Sequence, residues 1–143
     1  MPLDESILDF TNRWYSLVLD SAQQLSVTPA ITIRIANAPV FLLTKWDAFG
    51  HRGADDPYGS HDLEDIVMLV AGRPELSHEV LELPLDARRF LVNALRDALG
   101  SEWFLDVVEG ALPDARTLPG LVGLVHGRFT TMLTQLTMKD DTQ

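Results

Sequence analysis

The sequence predicts an α+β fold, a short antiparallel β-hairpin packed with a predominantly helical bundle. Three observations predict it. Apolar residues recur at three- and four-residue steps near the N-terminus and again beyond Ala38; the period switches to two between Gln24 and Ile35; and proline and glycine cut the second half into helix-length pieces. With 143 residues, 46% of them hydrophobic, the chain can bury one core and is too short for two comfortable domains.

From Ser6 to Ala22 the residues Ile7, Leu8, Phe10, Trp14, Leu17 and Val18 trace an amphipathic helix or two short ones. Gln24 to Val27 and Ile31 to Ile35 then alternate polar with apolar around Thr28-Pro29-Ala30. A hairpin with Leu25, Val27, Ile31, Ile33 and Ile35 on one side follows from that alternation. Two strands alone make a marginal sheet, so helices must cover it or another polypeptide must add strands. Asn37 is a suitable cap for a helix from Pro39 to about Phe49, with proline near its first position. The loop Gly50 to Gly59 is rich in turn formers and charge, and Ser60 caps a helix through about Ala71. Further helices are expected over Ser77 to Val80, Leu85 to Leu99, Glu102 to Ala111 and Leu118 to Leu136, separated by Pro84, Gly100, Pro113 and Pro119.

The formal charge of −10 argues against a general grip on nucleic acid or on an anionic membrane, since either would be repelled over most of the surface. Any nucleotide contact must be local. The lack of cysteine excludes disulfides, thiolate catalysis and zinc–sulfur sites. There is no basic segment leading into an apolar run at the N-terminus, and no stretch of roughly 18 apolar residues, so a cytoplasmic chain is expected.

Chemistry concentrates between Ala38 and Gly72. Lys45 is one of only two lysines, the other being Lys139 in the polar tail. On its helix, positions 41, 45 and 49 stack, which sets Lys45 between Phe41 and Phe49 with Leu42 and Trp46 beside it. One reading is a stem packed on aromatic rings with its head in water or against a carboxylate; the other is a phosphate ligand. The next helix opens Ser60-His61-Asp62-Leu63-Glu64-Asp65. Acids there complement the helix dipole. Leu63, Ile66, Val67 and Val70 form the buried stripe, which leaves Asp62 and Asp65 together on its border, where a carboxylate can hold a divalent cation or orient Lys45. His51, His61, Asp55 and Asp56 can be drawn as a metal site. Arg52, Arg73 and Arg13 are candidates to neutralise phosphate, and Arg88, Arg89 and Arg96 read as a solvated face.

Taken together, FTNRWYSLVL, the hairpin, IRIANAPVFLLTKWDAF, the charged loop and GSHDLEDIVMLVAGRPEL resemble the later part of the AbiEii-type nucleotidyltransferase family, whose members include toxins of type IV toxin–antitoxin systems. The likeness covers roughly Asp4 to Leu76. It implies a partial nucleotidyltransferase-like region over residues 1–76 and a C-terminal helical region over 77–139, joined in one unit. It further implies that Lys45 contacts the triphosphate of an incoming nucleotide, that Asp62 and then Asp65 complete the active site, and that Mg2+ is the cofactor with Asp62 a ligand; Arg52, a phosphate candidate on the residues alone, joins Lys45 as a nucleotide-binding residue. The family's glycine-serine segment and its strand bearing two acids, which bind the catalytic magnesium, have no counterpart here. That half is therefore expected from another chain or an upstream reading frame, and little catalysis is expected without it.

Three functions follow as alternatives. The first is a nucleotidyltransferase-like protein with a residual nucleoside-triphosphate half-site. The second is a non-catalytic interaction or regulatory module that pairs Lys45 with Asp62 structurally and recruits a complementary chain or a second copy through the hairpin edges or the apolar segment from Leu118 to Leu136. The third is a metal hydrolase built on His51 and His61.

Overall fold

Asn37 opens the first helix of the packed body: its backbone is extended, and its side-chain oxygen accepts a hydrogen bond from the Val40 N–H at 3.0 Å. The computed structural model describes residues 37–141, with Arg13, Trp14 and Leu17 and the backbone of residues 23–28 and 31–35. The remainder of the helix expected from Ser6 to Ala22 lies outside the described residues. Helix α1 (Ala38–Arg52) holds Pro39 in its first turn and ends at Gly53, whose N–H reaches the Phe49 carbonyl at 2.8 Å. A Cβ at Gly53 would stand 2.8 Å from both the Phe49 ring and the Ser60 hydroxyl, so glycine is what lets the chain turn back here.

A 3-10 turn, Pro57–Gly59, capped by Asp56, carries the chain to Ser60. Ser60 Oγ accepts from the Leu63 N–H at 3.2 Å and starts α2 (His61–Gly72) as expected. A single turn, α3 (Leu76–Glu79), runs into a 3-10 turn at Val80–Glu82. Then follow α4 (Leu85–Leu99), α5 (Phe104–Ala111) and α6 (Leu121–Asp141). Helix α6 begins after Gly120, which has φ +82°, a left-handed conformation that delays its start past the expected Leu118.

The α+β class is overturned. Strands β1 (Gln23–Thr28) and β2 (Ile31–Ile35) run antiparallel as a two-stranded ribbon, Leu25 opposite Ile33, and among the described residues they pair with no further strand. Among the described residues the packed body is all-helical, with its core drawn from the helices, their connections and Trp14. The physical reason is that alternation over a dozen residues specifies a local pairing and recruits no further strand, whereas the apolar stripes of five helices can close on one another. Helix α6 provides the centre, touching α2, α3, α4 and α5. Its Val125, Phe129, Met132 and Leu136 fall at four-, three- and four-residue steps and are all buried. Phe129 meets the Phe104 ring edge-on at 5.0 Å. Helix α1 lies on α2, α3 and α4 and turns Leu42, Leu43 and Trp46 inward.

The solvated arginine face on α4 is also corrected at one position. Arg88 is buried, donating to the Leu83 carbonyl at 2.7 Å and reaching Asp140 at 3.4 Å, so it ties the start of α4 to the end of α6. Arg89 and Arg96 are exposed. No helix among the described residues is long and apolar enough to cross a membrane.

Candidate functional site

The side chains expected to carry chemistry on α1 and α2 do meet. Helix α1 packs along α2, and Lys45 and Arg52, two turns apart on α1, face the first turn of α2. The Lys45 Nζ lies 2.8 Å from Asp65 Oδ2 and 3.5 Å from Asp62 Oδ1. Arg52 grips Asp62 in a fork, Nε to Oδ2 and one terminal nitrogen to Oδ1, both at 2.9 Å. That geometry is the strong, bidentate form of the guanidinium–carboxylate pair. Lys45 Nζ also lies 5.4 Å from the centre of the Phe41 ring. Phe49, expected on the other side of Lys45, meets Trp46 edge-on and Trp103 at a tilt.

Burial is uneven across the four. The Asp62 side chain is 5% exposed, Lys45 23%, and Arg52 and Asp65 about half. The hydrogen bonds from Arg52 hold the Asp62 carboxyl below its ordinary value; burial pushes the other way, and the charges of Arg52 and Lys45 add to the lowering. Asp62 also sits in the first turn of α2, where the helix dipole favours a negative charge. Two cations and two anions therefore form a closed, locally neutral cluster, with its one buried member satisfied from α1.

The donor set does not fit the Mg2+ that the family likeness implies. Both oxygens of Asp62 are engaged by a guanidinium, and a dication there would face Lys45 and Arg52 at close range. Among the described residues no group of three or more histidine, aspartate or glutamate side chains is placed to share an ion. The histidine set also stays apart: His51 Nε2 lies 3.6 Å from Asp47, and His61 Nδ1 lies 3.2 Å from Glu64. Asp56 is occupied in capping its turn through the Gly59 N–H.

The remaining arginines are placed elsewhere. Arg73 forks onto Glu79 at 2.6 and 2.8 Å. Arg13 stacks over Trp14 and Phe90, with its guanidinium 4.5 and 5.3 Å from the ring centres. Its backbone N–H donates to the buried Asp47 at 3.3 Å.

A second feature escaped the sequence altogether. Between α1, α4 and the turn before α5 lies an open cavity of about 400 Å3, lined chiefly by Trp46, Phe49, Phe90, Ala94, Asp97 and Trp103. Its aromatic walls come from residues up to 57 positions apart in sequence, between Trp46 and Trp103. No local period links them, and each reads singly as core. Comparisons of the chain with family models, with curated proteins and with solved structures found no match.

Proposed function

We propose that this chain is a non-catalytic interaction or regulatory module in which Lys45, Arg52, Asp62 and Asp65 join α1 to α2. One observation carries the reading: the cations that would receive a triphosphate are engaged by carboxylates, one of them buried and bound in a bidentate fork. A phosphate arriving at Arg52 would have to displace Asp62, leaving a charge in a site with 5% exposure. The chain's excess of acid further opposes an anionic ligand. The half-exposed Leu118 and Leu124 supply apolar surface of the kind that a partner polypeptide covers.

A second reading rests on the convergence of Lys45 and Arg52 within reach of one carboxylate. Together with the likeness to AbiEii-type nucleotidyltransferases, it supports a residual triphosphate half-site with Asp62 as its gate. Calorimetric titration of the protein with Mg-ATP, Mg-GTP, Mg-CTP and Mg-UTP separates the two. The proposal expects no saturable heat from the folded protein. Binding of any of the four that disappears in Lys45→Ala would overturn it in favour of the half-site.

A further inference from the structure

The groove between α1 and α4 uses none of the four residues of the ion cluster, so its reading stands or falls independently. Its walls are aromatic. Phe49 and Trp103 have ring centres 5.7 Å apart, Trp46 meets Phe49 at 6.0 Å, and Phe90 adds a fourth aromatic ring to the lining. At about 400 Å3 the space lies within the range of small-ligand clefts. The one ionisable group in its lining is Asp97, exposed at the lip.

Asp97 is in the wrong place for stability. It stands in the last turn of α4, where the helix dipole disfavours a carboxylate. No cation pairs with it among the described residues. A residue that local electrostatics disfavours, set beside an aromatic groove, is what a binding site looks like when it departs from local rules for the sake of a ligand. The sign of its charge selects the ligand's. Aromatic faces attract cations through the ring quadrupole, and organic ammonium ions are the ligands that aromatic cages hold. Elsewhere the Phe90 ring already accepts a cation, the Arg13 guanidinium lying 5.3 Å from its centre.

We infer that this groove binds a small organic cation, an alkyl- or arylammonium whose charged head lies between Asp97 and the aromatic faces while its apolar body fills the rest of the space between Phe49, Phe90 and Trp103. Because Trp46 and Trp103 line the groove, tryptophan fluorescence and the indole N–H signals in NMR spectra report occupancy directly.

The test uses three probes that share one ring and differ in charge: benzyltrimethylammonium, benzyl alcohol and phenylacetate. The ammonium is expected to bind saturably and to shift the Trp103 indole signal, the alcohol to bind more weakly, and the acid not to bind. Asp97→Asn should weaken the ammonium by about two- to fivefold, the worth of an exposed charge pair, and leave the alcohol unchanged. Gly50→Leu supplies a second handle. Gly50 lines the groove, and a Cβ there would meet nothing within 4 Å, so the larger side chain can fill the space without displacing backbone. It should abolish binding of both probes. Equal binding of ammonium and acid, an ammonium affinity untouched by Asp97→Asn, or no binding by a folded protein would each overturn the inference.

Discussion

Replacing either cation of the cluster should destabilise the fold, and Arg52→Ala should cost more than Lys45→Ala although Arg52 is the more exposed. Arg52 supplies two 2.9 Å hydrogen bonds to a carboxylate that is nearly inaccessible. Without it, Asp62 retains one contact to Lys45 at 3.5 Å and the dipole of α2. Stripping a fully buried ion of its partner costs about 3–5 kcal/mol. The remaining lysine and dipole, together with the freedom of a half-exposed guanidinium to rehydrate, reduce the expected loss to about 2–3 kcal/mol. Lys45→Ala removes a 2.8 Å pair to the half-exposed Asp65, worth under about 1 kcal/mol, and the longer contact to Asp62. Its total should be about 1 kcal/mol. Urea unfolding of the two variants and the parent at neutral pH reads the difference. Equal losses, or a larger loss for Lys45→Ala, would refute the assignment of Arg52 as the principal partner of the buried acid.

Other parts of the structure give independent expectations. Phe129→Ala, at a fully buried site edge-on to Phe104, should cost about 3–5 kcal/mol by denaturant unfolding; a loss near zero would mean that α6 is not the centre of the core. Gly53→Ala should lower the melting temperature, because the added methyl group meets the Phe49 ring and the Ser60 hydroxyl at 2.8 Å. An unchanged or higher melting temperature would contradict the tight turn between α1 and Ser60. In acid, Asp62 and Glu79, each held below its ordinary carboxylate value by an arginine, contribute stability that is fully present above the unfolded-state value and is lost as pH falls through the lowered one. Stability should therefore decline below about pH 5, and the decline should be shallower in Asp62→Asn, as read by unfolding at stepped pH.

How much of this was legible follows from the range of the forces involved. The helix starts at Asn37 and Ser60 are set by side chains that bond to backbone three residues away, and they could be read directly. The meeting of Lys45 with Asp62 and Asp65 was also within reach, since the two acids lie on the border of a predicted apolar stripe and Lys45 sits among aromatic residues of the preceding helix, where a carboxylate was one of its two expected partners. The choice of Arg52 as the main partner was not, because it depends on how the last turn of α1 crosses α2. Arg88 shows the same limit: beside Arg89 and before Arg96 it reads as surface, yet its carboxylate partner Asp140 is 52 residues away. The α+β expectation failed because alternation reports which residues pair locally and says nothing of whether the ribbon joins the core. The aromatic groove is assembled only by tertiary packing, so no spacing announced it.

Lys45 and Arg52 are held by carboxylates rather than offered to a ligand. The most direct test follows the Asp62 carboxyl carbon by NMR through an acid titration of the parent, Arg52→Ala and Lys45→Ala. The account predicts a parent value below the ordinary aspartate value of about 3.9, an upward move in both variants, and the larger move in Arg52→Ala. An Asp62 that titrates at or above the ordinary value and does not respond to Arg52→Ala would contradict it.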